Sequence, residues 1–131
     1  MAALKYPADL KYTKSDEWVR VEGETVTIGI SDYAQDALND LTYLEFSADI
    51  GSALDAGDAV AEVESVKASS SIYTPIGGEV VAVNAAIKES AETINADPYG
   101  QGWLVKLKVS DTSALDALMN ADDYKTYCES R

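Results

Sequence analysis

Lys67 is the side chain whose setting most needs a chemical explanation. Between Arg20 and Lys88 the chain carries 12 carboxylates and a single cation, Lys67. Its surroundings are small or acidic, in the run Glu62-Val63-Glu64-Ser65-Val66-Lys67-Ala68-Ser69-Ser70-Ser71, so no bulky group shields the amine from an enzyme acting on it. No second cation and no apolar cluster in this run would make the amine a nucleophile in its own right. That disfavours Schiff-base catalysis, which relies on burial or on neighbouring cations. Acylation by a separate ligase or transferase fits better, because it yields a stable amide and turns the flexible side chain into a long tether. The plain alternative is a solvated lysine at a hairpin tip, where a polar residue is expected in any case.

Absent residue types narrow the other chemistry. There is no histidine, which removes Ser-His-Asp and Cys-His nucleophilic sites and nearly all zinc sites. Paired acids such as Glu62 and Glu64 could do acid-base work in a small hydrolase, but adjacent acids on one strand face are usually solvated charge, and no substrate-cleft signature accompanies them. The single cysteine, Cys128, cannot form an internal disulfide and reads as a buried small hydrophobe. With no apolar export segment after the initiating Met, the compartment expected is reducing: cytoplasmic, or the mitochondrial matrix if this is a processed eukaryotic form.

A net charge of -13, from 10 basic and 23 acidic residues, has the wrong sign for binding nucleic acid or an anionic membrane surface. No stretch approaches a membrane-spanning run. The acidity serves solubility or docking onto basic faces of protein partners. A length of 131 residues with 47% hydrophobic content predicts one domain over 1–131 with a real core.

The elements that must position Lys67 read as short strands. Val19 and Val21, then Val26, Ile28 and Ile30, alternate with polar or small residues on either side of Gly23, which predicts a hairpin with one buried face. Ser31 is a good N-cap for a short helix over 32–38, ended by Asn39-Asp40. Leu41 to Phe46 returns to strand. From Gly57 to Asn84 strands are joined by tight turns, the last at Thr74-Pro75-Ile76-Gly77-Gly78. A helical turn is expected within 88–95, and Trp103, Val105, Leu107 and Val109 mark a strand. Ser113-Ala114-Leu115-Asp116 resembles a capping box, and Asn120 can cap a second segment, so helices occupy about 112–129. Gly57-Asp58-Ala59-Val60-Ala61 and Gly78-Glu79-Val80-Val81-Ala82 form a quasi-repeat 21 residues apart. It suggests two half-units about an approximate two-fold axis, with Lys67 at the tip of the connecting hairpin.

Beyond Glu64-Ser65-Val66-Lys67-Ala68, four blocks in order carry a family resemblance: Tyr12-Thr13-Lys14-Ser15-Asp16-Glu17-Trp18-Val19, Ile28-Gly29-Ile30-Ser31-Asp32-Tyr33-Ala34-Gln35, Gly78-Glu79-Val80-Val81-Ala82-Val83-Asn84 and Asn95-Ala96-Asp97-Pro98-Tyr99-Gly100-Gln101-Gly102-Trp103. The chain resembles the H proteins of the glycine cleavage system, which are lipoyl carriers. The resemblance implies a mainly β, lipoyl-domain-like two-sheet sandwich and barrel hybrid, with a short internal helix and C-terminal helices. It implies lipoate as an amide on Lys67, with Glu64 and Gly51 as recognition residues for a lipoate ligase or octanoyl transferase. It also implies a non-catalytic carrier serving a pyridoxal-phosphate glycine decarboxylase, a tetrahydrofolate-dependent aminomethyltransferase and a flavin-dependent dihydrolipoamide dehydrogenase. The cofactors of those enzymes do the chemistry.

In the resembled family the aminomethylated arm folds into a cleft where its amine meets a Ser, a Glu and an Asp. Ser15 and Glu17 match the first two, and Ser71 stands where the Asp is usual. Asp16 replaces a usual His, Asn39 a usual Gly and Ser47 a usual Pro; Asp16 is a candidate to supply the lost charge. A related duty is that of a lipoate relay, donating lipoyl groups to other enzymes. A biotinyl domain shares the hairpin logic but flanks its lysine with methionines, where this chain has Val66 and Ala68. An unmodified interaction module would leave Lys67 bare and tolerate Lys67→Arg.

Overall fold

The computed structural model describes residues 4–131. Among the described residues nine strands form two open antiparallel sheets. They are β1 Lys11–Tyr12, β2 Glu17–Glu22, β3 Thr25–Ile30, β4 Leu41–Phe46, β5 Ala53–Leu54, β6 Ala59–Ser65, β7 Ser69–Tyr73, β8 Gly78–Val83 and β9 Val105–Lys108. The larger sheet has the order β1-β2-β3-β9-β8-β5 and the smaller β4-β6-β7. Three helices, α1 Asp32–Leu38, α2 Glu92–Ala96 and α3 Ala121–Glu129, lie outside the strands. The two-sheet, mainly β architecture is the one expected, and neither sheet closes into a barrel. Among the described residues no helix is long and apolar enough to cross a membrane.

Turn chemistry sets the first hairpin. Glu22 faces Thr25 across a two-residue turn in which Gly23 takes φ 64°, the left-handed conformation that tight hairpins need. The expectation of one buried face is corrected: over Glu17–Val19 and Val26–Ile30 the hairpin is covered on both sides, while Val21, expected on the buried face, is 43% exposed near the turn. Val19, Val26, Ile28 and Ile30 join Leu44, Val63, Ile72, Val80 and Leu107 in the main core. Their neighbours point the opposite way, and Trp18 packs there with Leu10, Tyr12, Ala121, Tyr124 and Cys128 in a second core. The covering layer comes from distant segments, so period-two alternation could not reveal it. The buried Cys128 expected from the sequence belongs to that layer.

Two helix starts follow their capping residues. The Ser31 hydroxyl accepts the Ala34 amide at 3.1 Å and Asn120 Oδ1 accepts the Asp123 amide at 2.8 Å. Asn39 closes α1 with φ 67° and ψ -157°, a backbone region that is essentially glycine's, at the position where the resembled family usually has Gly. The capping box expected at Ser113 is corrected: 113–117 is a 3-10 turn in which Asp111 Oδ1, not the Asp116 side chain, accepts the Ser113 amide at 2.9 Å. Trp103 also falls outside the strand predicted for it, since β9 starts at Val105. Its carbonyl is taken by the Asn84 side-chain amide at 2.8 Å.

The quasi-repeat has a structural counterpart. β6 carries an irregularity between Ala59 and Ala61, and β8 carries one between Val80 and Ala82. The unpaired residues, Val60 and Val81, occupy equivalent positions of the two pentapeptides. Their environments differ, since Val60 is fully buried and Val81 is 41% exposed.

The second core presses on β3 at Gly29, where an added Cβ would come within 2.7 Å of the Trp18 ring. Trp18 is wholly buried, and its indole N–H donates to the Pro98 carbonyl at 2.9 Å, so the ring cannot withdraw cheaply. Gly29→Ala is expected to cost about 1–3 kcal/mol, the range typical of overpacking, measured by urea unfolding. Wild-type stability in that variant would contradict the packing described.

Candidate functional site

The turn between β6 and β7 holds Val66, Lys67 and Ala68 in solvent. One hydroxyl organises it. Ser65 Oγ accepts the amides of Lys67 at 3.1 Å and Ala68 at 2.9 Å, and it donates to the Ala68 carbonyl at 3.1 Å. The Ser65 amide donates to the same carbonyl at 2.7 Å, and the Val66 amide donates to the Asp40 carbonyl at 3.2 Å. Thr42 Oγ1 donates to the Glu64 carbonyl at 3.2 Å, tying the turn to β4. The backbone under Lys67 is therefore fixed while the side chain is free, the arrangement needed to present one amine to a modifying enzyme. Nothing in the sequence reading singled out Ser65 for this role.

Glu64 is exposed on β6, opposite Tyr43 and Ser69. Gly51 sits in the loop before β5, with φ 94° and its amide donating to the Val80 carbonyl at 2.8 Å. A Cβ there would meet nothing, so the requirement for glycine is conformational. Gly51 is tied to the larger sheet, and none of the hydrogen bonds described for the Lys67 turn reaches it.

At the other end of β7 a cavity of about 580 Å³ opens, walled by Ser15, Glu17, Tyr73, Pro75, Leu118 and Met119 among others. The five residues of β7 separate it from the Lys67 turn by roughly 16 Å, at about 3.3 Å per residue. Glu17 is 1% exposed. Its Oε1 accepts hydroxyl hydrogens from Thr13 at 2.5 Å and Ser15 at 2.6 Å, and its Oε2 accepts the Tyr73 amide at 3.2 Å. Burial raises its pKa, while these three hydrogen bonds oppose the rise by favouring the anion. Among the described residues its hydrogen-bond partners are all neutral donors, and the only ion pair joins Arg131 to Asp16.

Ser15 and Glu17 are thus brought together at the cavity, and Asp16 and Ser71 are not among its walls. Both Asp16 oxygens face Arg131, at 2.6 and 2.9 Å, so its charge is already compensated. The Ser71 hydroxyl donates to Glu62 Oε1 at 3.1 Å. Thr13 is the participant that sequence reasoning passed over, although it lies inside the Tyr12-to-Val19 block. The apolar wall from Leu118 and Met119 had no local signal, because the isolated bridge pairing Met119 with Tyr12 brings it there.

Comparison with known proteins agrees with the residues quoted above. The family model described as Glycine cleavage H-protein matches residues 10–131. A Thermus thermophilus protein named glycine cleavage system H protein is 49% identical over 127 residues, 97% of this chain and 98% of the relative. One of the same name from Pseudoalteromonas translucida is 50% identical over 119 residues, 90% and 92% of the two chains. The crystal structure of a glycine cleavage system H protein from Mycobacterium marinum superposes with a TM-score of 0.82 at 34% identity, covering 92% of this chain and 97% of that one. With matches of that extent in sequence and in fold, the chain belongs to the glycine cleavage H-protein family.

Proposed function

We propose that this protein is the lipoyl carrier of a glycine cleavage system and that lipoate is attached to Lys67 as an amide. The observation that carries the reading is the turn: a lone exposed lysine in an acidic stretch, on a backbone clamped by Ser65 Oγ. The residues present suit the group. Nothing bulky flanks the amine, and a half-apolar cavity with a buried carboxylate lies within reach of a long tether. When bound, lipoate supplies a disulfide ring that opens on taking a one-carbon amine unit from glycine and closes again when the dithiol is reoxidised.

The chain's own residues do three things. The clamped turn presents Lys67 to a lipoate ligase or octanoyl transferase, with Glu64 and Gly51 as the features read beside it. The tether then raises the effective concentration of its end at each partner's active site. Those partners are a pyridoxal-phosphate decarboxylase, a tetrahydrofolate-dependent aminomethyltransferase and a flavin-dependent dihydrolipoamide dehydrogenase. Finally, Leu118 and Met119 shelter the apolar part of the arm, while Glu17, with Thr13 and Ser15, receives an ammonium group. A buried carboxylate without a cation of its own is stabilised when one arrives. No residue here is assigned a bond-making step, so the protein acts as a carrier component.

Protein from cells competent for lipoylation is expected to carry a lipoyl increment on Lys67 by intact mass and peptide mapping. Lys67→Arg should lose the increment and the carrier function with an unchanged melting temperature; an unmodified Lys67 in such cells would overturn the reading. Ser65→Ala, which removes the hydroxyl that makes all three of those bonds, should slow attachment by at least about tenfold, the equivalent of one hydrogen bond, with Ser65→Thr restoring it.

Glu17 also predicts a pH dependence. Its folded pKa lies above the ordinary 4.5, so the folded state holds the extra proton between those values, and stability rises as pH falls through the folded pKa. Glu17→Gln can keep the three hydrogen bonds with its amide turned toward the hydroxyls. It should therefore be as stable as wild type or more so at neutral pH. Wild type should gain relative to the variant on acidification until about 4.5, where the difference levels off. Melting curves across that range test this, and parallel profiles would show that Glu17 carries no burial penalty.

A further inference from the structure

Asp16 lies between the two cavity residues Ser15 and Glu17 and takes φ 75°, a positive φ that is uncommon outside glycine. That bend brings the Ser15 hydroxyl and the Glu17 carboxylate within 2.6 Å of each other while the Asp16 side chain points elsewhere. Within the loop the Thr13 amide donates to the Glu17 carbonyl at 2.9 Å and the Glu17 amide donates to Thr13 Oγ1 at 3.0 Å. The Asp16 amide donates to the Thr13 carbonyl at 3.2 Å, and the Ser31 amide donates to the Asp16 carbonyl at 2.8 Å.

Further contacts come from the far end of the chain. Arg131, which follows α3, grips Asp16 with both terminal nitrogens in a bidentate fork, the strongest kind of charged hydrogen bond. The guanidinium is itself placed. It lies over the Tyr33 ring of α1 at 4.3 Å and over the Tyr127 ring of α3 at 4.6 Å. The hydrogen bond to Asp16 holds it firmly protonated. Tyr124 OH adds a further bond to Asp16 Oδ1 at 2.8 Å and meets Ser31 Oγ, the α1 cap, at 2.6 Å. With side-chain exposures of 28% and 17%, the pair is not the freely solvated kind that contributes little.

We propose that Arg131 is a positioning residue for the cavity: by gripping Asp16 between α1 and α3, it holds the Thr13-to-Glu17 loop in the bend that turns Ser15 and Glu17 inward. Its effect on the loaded arm rests on the carrier reading above, and its effect on the loop does not. Arg131 touches neither the cavity nor Lys67 and acts only through Asp16. Lysine would preserve the charge without the fork.

The test compares wild type with Arg131→Gln, Arg131→Lys and Asp16→Asn in two measurements. In the unmodified protein, hydrogen exchange at the Asp16, Glu17 and Ser31 amides should quicken at least about tenfold in Arg131→Gln, as expected for losing a charged hydrogen bond. Exchange at Val63 in the smaller sheet should stay the same, and Arg131→Lys should be intermediate. In the lipoylated protein, the loaded arm should be lost several-fold faster in Arg131→Gln, while the rate of lipoyl attachment at Lys67 is unchanged. Asp16→Asn removes the charge with little change of shape and should reproduce both effects if Arg131→Gln proves too unstable to study. Loop exchange and arm retention matching wild type in folded variants would overturn the proposal, as would faster exchange spread evenly over both sheets. An arm not retained even by wild type would count against the carrier reading, leaving the loop measurement to judge Arg131.

Discussion

A carboxylate shut away from water is the constraint around which this structure is arranged. Glu17 is the first residue of β2 in the larger sheet and Tyr73 the last of β7 in the smaller, and the bond from the Tyr73 amide to Glu17 Oε2 joins the two sheets beside the cavity. A buried anion is tolerated only if its lone pairs are used. The hydroxyls of Thr13 and Ser15 take the other oxygen, which requires the tight bend at Asp16. That bend in turn requires the contacts from α1 and α3. Every hydrogen-bond donor to the carboxylate is neutral, and in the proposed role the cation it lacks is the ammonium of the arm.

Stiffness follows from covering β2 and β3 on both faces. With Val19 in one core and Trp18 in the other, the hairpin cannot slip register without exposing one apolar set or the other. Gly29 is the place where that covering is closest. The smaller sheet is built differently. Its outer side carries Glu45, Glu62 and Glu64, exposed to solvent, and it ends in the Lys67 turn. One sheet is locked in place by two cores, and the other extends the lysine from it.

Much of this was legible in the sequence where the cause is local. Ser31 and Asn120 act as caps because capping depends on residues three positions apart, and the Gly23 turn and the isolation of Lys67 are likewise visible in short windows. The bulges at Val60 and Val81 echo a repeat that can be read directly. What escaped has a nonlocal cause. The Asp16 to Arg131 pair spans 115 residues, and neither residue signals the other. The burial of Thr27 and Gly29 depends on an outer layer that β3 cannot announce. At Ser113 the pattern of a capping box was present, but Asp111 competed for the same amide and won. Asp16 looked like a free charge available to the arm because its partner was out of view.

The charge pattern links the two ends of β7 in the proposed role. Acylating Lys67 removes the one cation between Arg20 and Lys88, so the surface around the arm becomes uniformly acidic at the moment the carrier is ready for use. Such a surface attracts basic partner faces and repels copies of itself. The carboxylates at the tip are exposed and screened by salt, so they steer encounter without holding the arm. Glu17, at the other end, is shielded from that screening and acts over a few ångströms only. Long-range attraction and short-range retention are thus assigned to different carboxylates, and burial alone separates the two roles.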